Sequence, residues 1–190
     1  MWQLETRQQQ VNRLEGTTTK AVLKSLRKLV AHVEAEIKRT EQQIDDHIDR
    51  HPDLRQQCQL LESIPGIGKR TATKLLAEIE DISRYKSARQ VAAYAGLTPR
   101  NSRSGTWRGQ TRLSKTGNAR VRKALFLPAM VAKRHNPVVR SFCQRLAQHG
   151  KNKMQLVGAA MRKLIHIAFG VLKSGKLFNP DYELLSNSVA

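Results

Sequence analysis

A segment rich in serine, glycine and arginine, residues 96–118, carries the side chains with the clearest chemical potential. Ser104 is its best candidate for a nucleophile, because the adjacent Gly105 has no side chain to block the approach of a phosphate. Three arginines lie close to Ser104 in sequence: Arg100, Arg103 and Arg108. Guanidinium groups stabilise an ionised hydroxyl and bind phosphate oxygens. The segment therefore predicts nucleophilic attack on a phosphodiester.

The other residues of this segment support the same chemistry. Ser114 is the second candidate nucleophile and Ser102 the third, while Arg112 and Lys115 add predicted phosphate contacts. Trp107 fits either stacking on a base or anchoring the segment. Because glycine, serine and threonine are too frequent here for a helix, we predict one long basic loop. A Ser-Gly turn that contacts DNA without catalysis is the alternative.

Positive charge is concentrated in the second half of the chain, which has a net charge of +19 overall. Residues 82–180 contain 21 Lys or Arg and no Asp or Glu, whereas residues 1–81 contain 13 basic and 13 acidic side chains. This clustering is typical of a nucleic-acid-binding protein, because neutralised phosphates release their counterions. On charge alone, a basic ribosome-like protein or a membrane-surface protein is the alternative.

The stretch without carboxylates restricts the chemistry that it can perform. Hydrolysis by two metal ions requires carboxylates to hold the metals, and residues 82–180 have none. Attack by a serine hydroxyl instead keeps the phosphodiester energy in a phosphoserine, which strand exchange requires and hydrolysis does not. We therefore expect no metal site in this chain.

Cysteine usage and hydropathy indicate a cytoplasmic protein without a membrane partner. Cys58 and Cys143 form no disulfide framework and fit a reducing cytosol. Cys143 also lacks zinc-site spacing relative to His135 and His149. No apolar run follows the start of the chain, and charged residues interrupt the apolar segment 156–172, which predicts a buried helix.

Hydrophobic spacing predicts a mainly α-helical fold that begins with a coiled-coil or helical-hairpin arm. After Lys20, eight positions recur at alternating intervals of three and four residues: Leu23, Leu26, Val30, Val33, Ile37, Thr40, Ile44 and His47. The helix is expected to end before Pro52, because the residue preceding a proline avoids the α region. The sequence leaves open whether this seam pairs with a second copy or with a neighbouring domain.

Residues 60–79 are predicted to form two helices around the turn Pro65-Gly66-Ile67-Gly68, which resembles the helix-hairpin-helix motif. Its two glycines predict close approach of the backbone to a phosphate, and the N–H groups that begin the second helix point at the anion. Lys69 and Arg70 add positive charge at the same place. A plain helical hairpin that uses glycine for tight packing is the alternative.

The predicted fold is completed by a compact helical domain on both sides of the basic loop. Ser87 and Asn136 are expected to cap two of its helices, and Gly150 and Asn152 are expected to begin the last one. The predicted divisions are a flexible start and coiled-coil linker at 1–57, the helix-hairpin-helix at 58–81, the compact domain at 82–175 and a tail at 176–190.

Four short motifs within residues 60–125 resemble the C-terminal domain of the transposases of insertion sequences 110, 116 and 902 and their relatives, the Piv-type DNA invertases. The motifs are Ile64-Pro-Gly-Ile-Gly68, Tyr94-Ala-Gly-Leu-Thr-Pro99, Ser104-Gly105, and Ser114-Lys-Thr-Gly-Asn118 followed by Val121-Arg122 and Leu125. Each motif is short, and their common order carries the resemblance.

This resemblance implies a DNA transposase or site-specific recombinase domain in which Ser104 is the nucleophile and Asn118 and Arg122 contact phosphate. It implies DNA as a partner, a homo-oligomer, a nucleoid-associated bacterial location and, in some members, a guide RNA encoded by the element. Members also carry an N-terminal RuvC-like domain whose acidic residues bind Mg²⁺. We expect that domain to be missing here, and Mg²⁺ only with it. A non-catalytic helix-hairpin-helix module, or an accessory protein of repair or ribosome type, is the alternative.

Overall fold

A computed structural model describes residues 20–100 and 113–181, together with the backbone of residues 103–104, 107–108 and 112. The chain divides into two compact units, residues 1–54 and 55–190. The described part of the chain contains seven α-helices, one short 3-10 helix and four two-residue strands. The mainly helical prediction is therefore confirmed.

The first unit is built on α1, Lys20–Arg50. The predicted end of this helix is confirmed, because His51 leaves the helical conformation and proline begins α2, Pro52–Glu62. Along the predicted seam, Ile37 is 36% exposed and Ile44 is 41% exposed. The pairing of this seam with another helix stays a prediction.

The second unit continues from α2 with five more α-helices: α3 Lys69–Ile79, α4 Ala88–Tyr94, α5 Ala119–His135, α6 Pro137–Gln148 and α7 Lys153–Ser174. Within this unit α7 packs on α4, α5 and α6, and α5 also packs on α3. Leu61, Leu125 and Leu164 are fully buried in the shared core. The helices of this unit are thus held around one apolar centre.

Asparagine side chains begin the three last helices: Asn118 for α5, Asn136 for α6 and Asn152 for α7. Asn152 forms a complete capping box with Gln155, because each side chain bonds the other residue's backbone N–H. The predicted cap at Asn136 is confirmed, and the last helix begins at Asn152 as predicted. Ser87 does occupy the capping position of α4, but its side chain makes no capping hydrogen bond.

The last helix, α7, lies in the core as its sequence predicts. By length and composition it could cross a membrane, since its most apolar 18-residue window has a mean hydropathy of 1.3, but half of that window is buried. Eight of its residues are buried in the fold. A buried core helix accounts for this apolar stretch.

Asn136 connects the turn after α2 to the corner between α5 and α6. Its side chain has no exposed surface. The Oδ1 atom accepts a hydrogen bond from the Val139 N–H at 3.1 Å, and Nδ2 donates to the Pro65 carbonyl oxygen at 3.3 Å. One buried amide therefore both caps α6 and holds the predicted hairpin turn.

Replacing this amide tests the importance of the link. We expect Asn136→Ala to lower the free energy of unfolding by about 2 kcal/mol, because the cap is lost and buried backbone groups lose their partners. Chemical denaturation of the full chain measures the change. The matched control is Asn152→Ala, an exposed cap whose loss should cost about 1 kcal/mol. Equal losses would contradict a special role for the buried link.

Candidate nucleic-acid interface

The segment predicted as a basic loop contains two antiparallel strand pairs, which we together call the ribbon. Strand β1, Pro99–Arg100, pairs with β4, Arg112–Leu113. Strand β2, Arg103–Ser104, pairs with β3, Trp107–Arg108. The sequence composition predicted no regular structure here, but two residues separate β2 from β3, a spacing that β-hairpins favour. The segment has a defined strand register as a result.

This register places arginine opposite arginine at two levels of the ribbon. Arg100 is the partner of Arg112, and Arg103 is the partner of Arg108. Like charges directly opposite each other destabilise an antiparallel pair. An anion close to both strands would relieve that repulsion. The arrangement of the backbone therefore favours an anionic ligand at the ribbon.

The candidate nucleophile Ser104 follows Arg103 in β2 and is the cross-strand partner of Trp107. The side chains of residues 101–112 lie outside the described residues, and so does the whole of Ser102. The direction of the Ser104 hydroxyl, and the choice between stacking and anchoring for Trp107, therefore stay predictions.

The ribbon is closed at its base by a neck, which we define as residues 94–98 together with residues 114–118. Three backbone hydrogen bonds join the two halves: Ser114 N–H to Thr98 O at 2.9 Å, Lys115 N–H to Gly96 O at 3.1 Å and Asn118 N–H to Tyr94 O at 2.6 Å. Gly117 has a φ of 129°, and a Cβ there would collide with the Tyr94 carbonyl oxygen. Glycine at this position thus permits the close approach of the two halves.

The neck also contains two of the predicted functional residues. Ser114 is half-buried, so its environment differs from that of a residue on an open loop. Lys115 is exposed and has a left-handed backbone with a φ of 55°. An exposed cation at the base of the ribbon is compatible with the predicted phosphate contact, which no contact in the structure tests.

Two arginines fasten the neck to the core helices. The Arg122 guanidinium of α5 donates to the Ala95 carbonyl oxygen at 2.9 Å, and that of Arg162 in α7 donates to the Leu97 carbonyl oxygen at 3.3 Å. Arg122 was predicted from the resemblance to contact phosphate. The structure shows it in an intramolecular bond, and the phosphate contact stays a prediction.

Asn118 similarly uses its side chain within the protein. Its Oδ1 atom accepts from the backbone N–H groups of Arg120 and Val121, at 2.8 Å and 3.3 Å. Its Nδ2 atom donates to Glu78 Oε2 at 2.9 Å and to the Tyr94 hydroxyl at 3.0 Å. These four bonds use both lone pairs and both hydrogens of the amide. Asn118 therefore links α3 and the neck to the start of α5, and its predicted contact to phosphate stays a prediction.

Glu78 is a residue of this region that the sequence did not predict. The carboxylate of Glu78 bonds Asn118 and lies 3.5 Å from the Arg120 guanidinium. Its partner Asn118 is 40 residues away along the chain, so no local spacing reveals the pair. The sequence feature that could have indicated Glu78 is its place on α3, between the buried Leu75 and Ile79 and shortly before residues 82–180, which contain no Asp or Glu.

The two glycines of the predicted hairpin turn have different environments. Gly66 has a φ of 109°, and a Cβ there would lie 2.8 Å from Ala132 Cβ and 3.0 Å from the Pro128 carbonyl oxygen. Tight packing on α5 explains this glycine. Gly68 begins α3 and is exposed, with nothing within 4 Å of the position of a Cβ. Only the second glycine thus borders an open surface.

The start of α3 presents further positive charge beside Gly68. Lys69 and Arg70 are exposed in its first turn. The N–H groups and the dipole at a helix N-terminus favour an anion there. This end of α3 is therefore compatible with the predicted contact to a phosphate backbone.

In the part of the chain that the structure describes, no three His, Cys, Asp or Glu side chains come together as a metal site. The Cys143 thiol donates to the Leu156 carbonyl oxygen at 3.8 Å, and burial raises its pKa. His149 Nδ1 lies 2.7 Å from the Arg145 carbonyl oxygen.

Three relatives are similar to parts of this chain. A pilin gene-inverting protein of Moraxella bovis is 37% identical over 152 residues, which cover 79% of this chain and 47% of the relative. An uncharacterized protein of insertion element IS110 from Streptomyces coelicolor is 30% identical over 161 residues, covering 85% and 39%. The transposase for insertion sequence element IS1111A from Coxiella burnetii is 38% identical over 78 residues, covering 41% and 21%. The chain spans less than half the length of these three relatives.

The region that contains the described geometry also matches a family. Residues 58–144 match the family described as Transposase IS116/IS110/IS902. This range includes the hairpin turn, the neck, the ribbon and α5. The predicted resemblance is confirmed: residues 58–144 of this chain are similar to the IS116/IS110/IS902 transposase family.

Proposed function

We propose that this chain provides the serine nucleophile and part of the DNA-binding surface of a transposase or site-specific recombinase. The match of residues 58–144 to a transposase family supports a transposase-type function. The single observation that carries the finer proposal is the register of the ribbon, in which Ser104 adjoins the cross-strand pair Arg103 and Arg108. Successive residues of a strand face opposite sides, so this arginine pair is proposed to supply positive charge that attracts a phosphate to the hairpin that carries Ser104, not to share its face.

In the proposed reaction the Ser104 oxygen attacks the phosphorus of a DNA phosphodiester. The serine loses its proton, one phosphorus–oxygen bond of the strand breaks, and the departing strand oxygen gains a proton. The arginines stabilise the charge that develops on the phosphoryl oxygens. The hydroxyl of a second strand then attacks the phosphoserine and releases Ser104. Each step exchanges one phosphate ester for another, so strand exchange needs no external energy source.

The ribbon and the start of α3 are proposed to hold the DNA backbone. Arg100 is exposed, as are Lys69 and Arg70. Contacts of this kind position the duplex and do not read its sequence. The target sequence would therefore be selected by other contacts or by a guide RNA.

The salt dependence of DNA binding tests the role of the ribbon. We expect the triple variant Arg100→Ala, Arg103→Ala, Arg108→Ala to reduce the slope of log affinity against log salt by about 0.9 for each phosphate that is no longer neutralised. Fluorescence anisotropy with duplex DNA at several salt concentrations measures the slope. Arg140→Ala, an exposed arginine on α6, is the matched control and should leave it unchanged. An unchanged slope in the triple variant would leave the hairpin as the main DNA-binding element.

Further partners are proposed from the family resemblance. They are a second copy of the chain, an element-encoded guide RNA, and a RuvC-like acidic domain that binds Mg²⁺ and completes the reaction centre. The partly exposed Ile37 and Ile44 of α1 support self-association. Association of the proposed complex with DNA would place it at the nucleoid.

A further inference from the structure

We propose that Glu78 is a positioning residue that fixes the ribbon relative to the DNA-contacting end of α3, an inference that rests on the proposed function. Glu78 lies one residue before the C-terminal residue of this helix, and Lys69 and Arg70 begin it. A helix of 11 residues is about 16 Å long at 1.5 Å per residue. One short, stiff element thus reaches from the proposed phosphate contact to the neck.

The connection to the neck is a closed set of three hydrogen bonds. Glu78 Oε2 accepts from Asn118 Nδ2 at 2.9 Å, and the Glu78 carbonyl oxygen accepts from the Tyr94 hydroxyl at 3.1 Å. The Tyr94 hydroxyl in turn accepts from Asn118 Nδ2 at 3.0 Å. The Glu78 side chain is only 23% exposed. Partial shielding from water strengthens these bonds relative to those on an open surface.

The two neighbouring carboxylates do not make this connection. Glu80 pairs with Arg84 at 3.1 Å, and both side chains are 70% exposed. Asp81 accepts from the backbone N–H and the hydroxyl of Ser83. These bonds stay within their own turn of the chain, whereas Glu78 reaches the residue that caps α5. Glu78 is therefore the carboxylate in this group that links α3 to the neck.

Loss of the Glu78 side chain should alter the neck without releasing α3. The helix is held independently by its buried face: Ala72, Leu75 and Ile79. Asn118 would keep its bonds to the start of α5 but lose its carboxylate acceptor. The expected result is a ribbon that still binds DNA but holds Ser104 less accurately relative to the phosphate.

The experiment compares Glu78→Ala, Glu78→Gln and Glu80→Ala in the full chain. Binding to a DNA junction and the rate of covalent adduct formation at saturating DNA are both measured, with a RuvC-like domain added. We expect Glu78→Ala to bind normally but to form adduct about 10- to 100-fold more slowly, as misplacement by about 1 Å can cause. Glu78→Gln keeps an oxygen acceptor and should restore most of the rate. Glu80→Ala should match the wild type.

An adduct rate in Glu78→Ala equal to that of the wild type overturns the inference, and so does a loss confined to DNA affinity. A thermal melt of each variant shows whether it is folded. If Glu78→Ala is unfolded, Glu78→Gln becomes the deciding variant, and an adduct rate as low as that of Glu78→Ala then overturns the inference. Hydrogen exchange in the free protein gives a separate readout, because the Asn118 and Lys115 amides should exchange faster in Glu78→Ala than in the wild type. If the wild type forms no adduct, the proposed function fails. Unchanged exchange then overturns the positioning role as well.

Discussion

Ser104→Ala should abolish the covalent adduct between this protein and DNA. We expect adduct formation to fall by at least about three orders of magnitude, because the substitution removes the hydroxyl that attacks phosphorus. The substrate is a suicide junction with an interruption near the exchange site, so that the released strand diffuses away and the phosphoserine accumulates. Denaturing gel electrophoresis, with and without a RuvC-like domain, detects the product.

Two matched variants decide between the candidate serines. Ser102→Ala and Ser114→Ala should retain the adduct. Retention in Ser104→Ala together with loss in Ser114→Ala would move the nucleophile into the neck, where the Ser114 N–H bonds the Thr98 carbonyl oxygen. If the wild type binds DNA in a salt-dependent manner but forms no adduct, the chain is a binding module without catalysis of its own.

Gly66→Ala should destabilise the second unit strongly. The φ of 109° is unfavourable for alanine, and the new Cβ would meet Ala132 Cβ at 2.8 Å. Strain of about 1–2 kcal/mol and overpacking of about 1–3 kcal/mol give an expected loss of about 2–5 kcal/mol. Urea denaturation of the full chain, followed by circular dichroism, measures it.

Gly68→Ala provides the control for this prediction. The position has open space around it and an ordinary φ of −100°. Its loss of stability should stay below about 1 kcal/mol, because alanine is only a poorer capping residue than glycine. If the two substitutions destabilise the chain equally, tight packing does not explain the need for glycine at position 66.

The sequence predicted local features of this fold well. The end of α1 before Pro52, the cap at Asn136 and the start of α7 at Asn152 depend on neighbours along the chain, and these predictions are confirmed. The different environments of Gly66 and Gly68 were not predictable, because they depend on whether α5 packs against the turn. Both glycines satisfy the same local pattern, and only the three-dimensional structure separates packing from exposure.

The candidate site was predicted in part. Ser104 and its arginines were proposed from residue type and stay predictions, and the ribbon register adds which arginines are opposite one another. The intramolecular roles of Asn118 and Glu78 depend on a contact across 40 residues. No periodicity encodes such a contact, and polar residues in a basic motif are readily interpreted as phosphate ligands. Asn118 was therefore proposed from the sequence without its partner, and Glu78 was not proposed at all.

The neck has a consequence for how proteins of this kind can diversify. The ribbon leaves and re-enters the helical unit at one hydrogen-bonded point, and Leu113 packs on the core, so changes between residues 99 and 112 need not disturb the buried helices. Ribbons of other lengths and compositions could be exchanged on the same helical base during evolution. The proposed contacts to the DNA backbone would then change without a penalty in folding.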